Sequence, residues 1–402
     1  MKKEEKKKTA VMSGQTKKYR IVRTGGKEKK YGGKYYAGFF LRLLYRIFLL
    51  AVTLVFLAVF AVFKTLGTVA NGPSPTFRDT LVLSAMQASA TKWVPGLFLD
   101  DAEVERIVNA SKEKEPEELD IEPIHGGSDV PGPVYVPGDD DPDAPPPDIS
   151  DGIEFHSDSA GTFRAYVMIV HDPAKVFVGV SSNKFEDARR GIQIYDAAKK
   201  YNAVAVINGG EFKDTGGVGL GERPIGLTYS QGKCVWDDGK KRTFIGIDNS
   251  NNLIVRESMT RQEADALGVR DGLSFQTNNV LISTVNGKTV CYYAPNNKGK
   301  AQRTAIGQRA DGKFIFIVTD GRSASSLGAD YDDIIDMMIK YGAVNAAMLD
   351  GGSSSMMYYK NYIKKYGVDE SELDEYQKLG LVNKYKAFTK PRYLPTFFVV
   401  EQ

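Results

Sequence analysis

A carboxylate at Asp350 follows the apolar run 346–349 and precedes two glycines and three serines. This pattern is typical of a buried strand that delivers a carboxylate to an open loop, because Gly351 and Gly352 let the backbone turn where a Cβ would clash. The hydroxyls and closely spaced N–H groups of residues 353–355 suit a sugar or a phosphate oxygen.

The same layout occurs earlier in the chain, where the apolar run 203–207 leads into Asn208, Gly209 and Gly210. In both copies a helical pattern ends with Lys-Tyr, an apolar strand follows, and a polar residue precedes two glycines. One copy is a residue longer, so the two segments form a pseudo-repeat and not an exact internal repeat.

A third strand end carries charge, and a further charged segment lies just upstream of that strand. The apolar run 314–319 leads into Asp320, Gly321 and Arg322, and Arg303 and Thr304 lie just upstream of it.

Together these four segments resemble the phosphodiester glycosidase family, through its signatures Asn-Gly-Gly-x-Phe, Arg-Thr-Ala, Asp-Gly-Arg and Asp-Gly-Gly-x-Ser at 208–212, 303–305, 320–322 and 350–354. The resemblance covers roughly residues 151–402 and implies cleavage of a sugar from a phosphodiester. The chain departs from the family at Glu211, where members often carry a small residue.

Such a reaction needs a carboxylate at the oxocarbenium-like carbon and cations that hold the phosphate. We predict Asp350 as nucleophile or base, Asp320 as second acid or sugar ligand, and Glu211 as a spare acid–base group. Arg303 and Arg322 are predicted to clamp the phosphate, because guanidinium binds it bidentately. The other predicted substrate-binding residues are Asn208, Gly209, Gly210, Thr304, Gly351, Gly352, Ser353 and Ser354.

A structural alternative stands beside each of these roles. Asp-Gly and Asn-Gly are common turn signals. Either arginine could also simply pair with Asp320 or Asp350. For Asp350 the Gly-Gly-Ser-Ser that follows is unusual for a plain turn and favours function.

No cofactor is required on these residues. Asp320, Asp330, Asp332 and Asp350 could recruit Ca²⁺ or Mg²⁺, but no ligand spacing establishes a site. Cys234 and Cys291 could pair or stay free.

The N-terminal region predicts a membrane anchor. Residues 47–66 are apolar and long enough for a bilayer core of about 30 Å. Residues 1–46 carry about +12, which leaves −9 for the rest of a chain of net charge +3. The positive-inside rule therefore puts the tail in the cytoplasm and everything after the span outside. Orientation and lipid attraction explain the basic tail more simply than nucleic acid does.

We predict five segments: a basic tail at 1–46, the membrane helix at 47–66, a helical stalk at 67–111, an acidic proline-rich linker at 112–150 and a head at 151–402. The stalk is either a self-association site or a spacer. Consecutive prolines and aspartates favour an extended linker, which holds the head away from the membrane.

The head is predicted to be α+β, a mixed multi-stranded sheet with a few flanking helices. The helices are expected at 186–201 and 332–341. The strands are expected at 164–170, 176–180, 203–207, 227–236, 243–248, 280–285, 290–293 and 395–400.

The sequence therefore predicts a membrane-anchored, extracytoplasmic hydrolase that acts on glycosyl-1-phosphodiesters in the bacterial envelope, in teichoic-acid-like polymers, capsule or exopolysaccharide. Two alternatives stay open. One is a non-catalytic module that binds envelope polysaccharide, and the other is a glycosyl-phosphate transferase with the same site.

Overall fold

Continuous apolar runs predict strands covered on both faces, because a strand with one wet face alternates apolar and polar residues. In the computed structural model of the protein, the runs at Phe163–Val170 and Phe314–Thr319 form strands whose side chains are almost all buried. The structure describes residues 33–87, 91–119, 148–160, 162–321, 326–385 and 390–402.

Within these residues the α-helices are α1 (Gly33–Ala70), α2 (Pro75–Met86), α3 (Asp101–Ala110), α4 (Ile194–Lys200), α5 (Arg261–Ala266), α6 (Tyr331–Lys340) and α7 (Tyr362–Tyr366). The strands are β1 (Glu115–Leu119), β2 (Ile153–Ala160), β3 (Phe163–Val170), β4 (Val176–Val180), β5 (Ala203–Asn208), β6 (Phe212–Lys213), β7 (Arg223–Pro224), β8 (Thr228–Ser230), β9 (Lys233–Trp236), β10 (Thr243–Asp248), β11 (Leu253–Arg256), β12 (Val269–Phe275), β13 (Val280–Val285), β14 (Lys288–Tyr293), β15 (Thr304–Arg309), β16 (Phe314–Thr319), β17 (Ala343–Met348), β18 (Met357–Tyr359) and β19 (Thr396–Glu401).

The chain divides into two compact units, Met1–Thr65 and Leu66–Gln402. Helix α1 contains the segment Phe40–Ala70, with a mean hydropathy of 2.7, which is long and apolar enough to cross a membrane. A signal sequence has the same properties.

Three larger antiparallel sheets and the two-stranded pair β6–β7 form in the described part of the second unit, and this confirms the predicted α+β class. The largest has the strand order β1-β14-β13-β17-β15-β16-β3-β2. A five-stranded sheet has the order β11-β10-β12-β8-β9, and a four-stranded sheet has the order β18-β5-β19-β4. Side chains of all three share one core, in which Ile317, Ile245 and Phe398 are fully buried.

Helix α4 is shorter than the helix predicted at 186–201. Gly191 packs so tightly that a Cβ there would lie 2.3 Å from the Leu394 carbonyl oxygen, and Ile192 bridges to Leu394 as a strand does. The chain therefore runs extended until Gln193, and the helix begins at Ile194.

A hairpin replaces the single strand predicted at 227–236. The turn between β8 and β9 is at Gln231 and Gly232, both of which have positive φ angles, 50° and 78°. The hairpin predicted at Asn286 and Gly287 is confirmed, with φ angles of 53° and 78°, as a two-residue turn of this kind requires.

The segment predicted as stalk and linker is partly built into the second unit. Helices α2 and α3 form as predicted, and Asp100 caps α3 by accepting from the Glu103 N–H at 2.8 Å. Strand β1, however, pairs with β14 and forms an edge of the largest sheet, although Lys112 onward was predicted as linker. Its exposed glutamates resemble a solvated run, but only its backbone is needed for pairing. Residues 120–147, with the acidic proline core, lie outside the described residues.

Candidate active site

Asp350 lies one residue beyond Leu349 at the end of β17, and backbone hydrogen bonds fix it to both neighbouring loops. Its N–H donates to the Gly209 carbonyl at 3.1 Å, and the Leu349 N–H donates to the Thr304 carbonyl at 2.8 Å. The Gly352 N–H donates to the Gln302 carbonyl at 2.9 Å. Residues 208–210, 302–304 and 349–352 therefore meet at one place.

Asn208 is fully buried and connects these loops. Its side-chain Nδ2 donates to the Asp350 carbonyl at 2.7 Å, and its Oδ1 accepts from the Thr304 hydroxyl at 2.8 Å and from the Met356 N–H at 3.0 Å. Thr304 is also fully buried. Both were predicted to bind substrate. In the structure their side-chain polar atoms form hydrogen bonds with other groups of the protein.

Gly209 and Gly210 allow two sheets to approach closely. A Cβ on Gly210 would lie 2.1 Å from the Ser274 carbonyl oxygen, and one on Gly209 would lie 2.5 Å from the Thr396 hydroxyl. No side chain fits at these distances, so both positions require glycine for packing.

Burial raises the pKa of the Asp350 carboxyl to about 6, and the negative charge of Glu211 adds to the rise. The neighbouring Ser354 hydroxyl and the positive charge of Arg392 act in the opposite direction. Such a group is mostly ionised at pH 7 yet close enough to its pKa to exchange a proton, which suits a base or a nucleophile.

Glu211 is held beside Asp350 by an ion pair. Its Oε2 lies 2.5 Å from Nε of Arg242. No local pattern predicts this partner, because Arg242 belongs to a segment that is distant along the chain.

Arg392 was missed by the sequence analysis. Its guanidinium lies 3.6 Å from Asp214 and 6.0 Å from the ring centroid of Phe212, and its charge acts on Asp350. It follows Lys390 and Pro391 in an irregular stretch, and no local sequence signal marks it.

Asp320 lies at the end of β16, two strands from Asp350, or about 10 Å at the usual strand spacing. Tyr166 donates to its Oδ2 at 3.1 Å, burial raises its pKa, and its buried Oδ1 has no partner among the described residues. Asp320 is not among the residues that line the cavity described below. Arg322, the second predicted phosphate clamp, lies outside the described residues.

The serines after Asp350 begin a single helical turn, Gly352–Ser354. The Ser353 carbonyl accepts from the Tyr385 hydroxyl at 2.5 Å. Ser354 is buried, and its hydroxyl lies beside the Asp350 carboxyl, where it lowers the pKa of that group.

A cavity of about 280 Å³ opens beside Asp350, Gly351 and Gly352. Arg303 also lines it and donates to the carbonyls of Gly299 at 2.6 Å and Ala329 at 3.2 Å.

The acidic residues considered for Ca²⁺ or Mg²⁺ do not gather. Asp330 caps α6 and pairs with Lys300 at 2.9 Å, and Asp332 pairs with Lys298 at 2.9 Å. Across the described ranges no group of three or more His, Cys, Asp or Glu residues could hold a metal ion. Cys234 and Cys291 are free thiols.

A sequence model described as "Phosphodiester glycosidase" matches residues 201–401, half of the chain. The chain belongs to the phosphodiester glycosidase family. This confirms the resemblance in the four motifs and supports a glycosidase-type function.

The chain is similar, at low identity, to a prophage protein of Bacillus subtilis. The SPbeta prophage-derived uncharacterized protein YomE of Bacillus subtilis (strain 168) is 26% identical over 194 residues, which cover 46% of this chain. The chain spans 27% of that protein's length.

Solved structures with a similar arrangement include the zebrafish N-acetylglucosamine-1-phosphodiester alpha-N-acetylglucosaminidase catalytic domain, auto-inhibited by its pro-peptide. It is 18% identical, with a TM-score of 0.46, over 62% of this chain and 81% of that one. A putative exported protein from Burkholderia pseudomallei K96243 is 14% identical, with a TM-score of 0.40, over 60% and 74% of the two chains.

Proposed function

We propose that the protein is a membrane-anchored glycosidase that hydrolyses glycosyl-1-phosphodiester linkages in cell-envelope or exopolysaccharide glycans. The observation that carries the proposal is Asp350, a carboxylate with a raised pKa at a rigid strand end, on a cavity that three cations line. The family to which the chain belongs supports the same reaction.

In this proposal the ionised Asp350 stabilises or attacks the anomeric carbon as the bond from C1 to the phosphate oxygen breaks. The electron pair leaves with the phosphate, which becomes a phosphomonoester. Water then bonds to C1, frees Asp350 as the carboxylate and loses its proton to solvent, which gives the free sugar. Because that leaving group is a weak base, it needs less protonation than an alkoxide, and one essential carboxylate suffices.

Cations around the cavity would hold the phosphate and stabilise the charge that develops on it. Arg303 lines the cavity, whereas Arg392 is not one of its lining residues and acts on Asp350 through its positive charge. Burial raises the pKa of Asp350, and the negative charge of Glu211 adds to the rise, so that the carboxylate remains a usable base.

In this proposal the membrane anchor is helix α1. A basic tail precedes an apolar helix long enough to span a bilayer, and this order favours a cytoplasmic N-terminus with the head outside. Envelope glycans with phosphodiester-linked sugars then lie within reach of the head.

The reaction class is tested by the position of bond cleavage. The full-length protein in detergent is incubated with the methyl phosphodiester of N-acetylglucosamine in ¹⁸O-labelled water. The proposal predicts free sugar that carries the label and unlabelled methyl phosphate. Label in the phosphate, with release of sugar phosphate, would show a phosphodiesterase instead. Transfer of the sugar to an added alcohol would identify a transferase.

A further inference from the structure

The segment before the family match packs on the head beside Asp350. We call residues 75–87 and 91–119 the N-terminal cap; it comprises α2, α3 and β1. Val82, Leu83 and Ile107 form its own small apolar core. The cap therefore has a fixed shape that it can present to the head.

Helix α2 contacts the loop that leads into Arg303. The Ser84 hydroxyl accepts from the Lys300 N–H at 3.1 Å, and Gln87 Oε1 accepts from Arg303 at 3.4 Å. A Cβ on Gly299 would lie 3.0 Å from the Leu83 Cβ, so a larger residue there would push the helix away.

The far end of the cap is held by β1 and Lys114. The Lys114 ammonium donates to the Val280 carbonyl at 2.6 Å and to the Tyr331 hydroxyl at 2.8 Å, and it lies 3.7 Å from Glu257. It also lies 5.6 Å from the ring centroid of Tyr292. These contacts and the pairing of β1 with β14 fix the cap on both sides of the cavity.

Both parts of the chain line the same cavity. The cap contributes Gln87, Ser111, Lys112 and Lys114, and the head contributes residues that include Arg303 and 348–352. Among the described lining residues, the two lysines and Arg303 are cationic and Asp350 alone is anionic. The excess of positive charge suits an anion.

Lys112 is the cation best placed to bind it. Its side chain is exposed at the rim, and its ammonium donates at 2.8 Å to the side-chain oxygen of Asn109, a neutral acceptor that an anion can replace. Lys114 is instead committed to the contacts that hold the cap.

We propose that the N-terminal cap completes the substrate site and that Lys112 binds the phosphate group of a phosphodiester substrate. This inference rests on the proposed function and adds to it a residue that lies outside the family's matched region. It makes the head dependent on a segment that was predicted as stalk and linker.

The test compares full-length Lys112→Gln with Lys199→Gln, an exposed lysine at the end of α4 that does not line the cavity. Turnover is measured with the methyl phosphodiester of N-acetylglucosamine and with the neutral 4-nitrophenyl glycoside of the same sugar. We expect Lys112→Gln to raise KM for the diester about fivefold, because the substitution removes one charged hydrogen bond to the phosphate at an exposed position. We expect kcat to stay within about twofold of the native value. The neutral substrate and Lys199→Gln are expected to behave as the native protein. An unchanged KM for the diester, or an equal loss with the neutral glycoside, would overturn the inference.

A binding arm separates this inference from the proposed reaction. If the native protein does not turn over the diester, the proposed function fails, and calorimetric titration with methyl phosphate still examines the cap. Weaker binding by Lys112→Gln than by Lys199→Gln, at equal thermal midpoints, supports the anion site. Equal binding by the two variants, or no binding by the native protein, rejects it.

Discussion

The side-chain amide of Asn208 donates a 2.7 Å hydrogen bond to the main-chain carbonyl of Asp350, and so ties the end of one sheet to the proposed catalytic loop of another. The two residues occupy matching places in the pseudo-repeat, each before a pair of glycines. One copy thus positions the other, because Asn208 is fully buried whereas Asp350 is partly exposed.

We expect Asn208→Ala to lower stability by roughly 2–4 kcal/mol, because it removes bonds to Asp350, Thr304 and Met356 and leaves their partners buried without a substitute. Denaturant unfolding of this variant, beside the exposed-site control Asn183→Ala, measures the difference. A loss below about 0.5 kcal/mol would contradict the positioning role.

The charges around Asp350 predict opposite shifts of its titration. If the ionised carboxylate is needed, activity falls below pH about 6. Glu211→Gln removes a charge that raises the pKa of Asp350, so the acid limb of the pH–rate profile should move to lower pH. Arg392→Gln removes a charge that lowers this pKa, so the limb should move to higher pH.

The shifts are measured as profiles of kcat/KM for the native protein and both variants. The profiles run from about pH 4.5 to about pH 8, which is about 1.5 units below to about 2 units above that pKa. Shifts of the same sign in the two variants would contradict the assignment of the acid limb to Asp350.

Close packing at Gly210 predicts a steric effect. Gly210→Ala would place a methyl group 2.1 Å from the Ser274 carbonyl oxygen. Overpacking of this kind destabilises by about 1–3 kcal/mol or more. The control is Gly96→Ala, where nothing lies within 4 Å. The midpoint of thermal unfolding should fall for Gly210→Ala only. Equal midpoints for the two variants would show that the sheets that contain β5 and β12 can move apart at this contact.

Lys114 predicts a dependence of stability on pH. Desolvation lowers its pKa from 10.5 to about 8, so between these values the unfolded chain binds more protons than the folded one. The contribution of Lys114 to the free energy of unfolding therefore rises as the pH increases from about 8 to about 10.5. Chemical denaturation at pH 7.5 and 9.5 should show this gain in the native protein and a smaller gain in Lys114→Gln. Parallel curves would mean that Lys114 titrates normally.

The places where strands deliver polar residues could be predicted from sequence, because an apolar run followed by Asp-Gly-Gly is a local signal. The runs before Asn208, Asp320 and Asp350 all form strands. What the sequence could not show is which side of each loop faces the cavity. Asn208 and Asp350 look alike along the chain, and only the packing of two sheets buries one of them.

The features of the site and fold that could not be predicted from sequence depend on contacts between distant segments. Arg392, Arg242 and the cap reach the site from segments with no motif, so no local pattern marks them. Strand β1 was missed because its exposed glutamates are typical of a linker, whereas an edge strand needs only its backbone. Helix α4 was predicted too long because the tight contact of Gly191 with Leu394 is non-local.

The most direct test of the proposal compares hydrolysis of the methyl phosphodiester of N-acetylglucosamine by full-length native protein, Asp350→Asn and the exposed-site control Asp187→Asn. The account predicts that the native protein and Asp187→Asn release free sugar at similar rates. It predicts that Asp350→Asn, folded to the same thermal midpoint, loses about a thousandfold or more in kcat. Undiminished sugar release by a folded Asp350→Asn protein would contradict it.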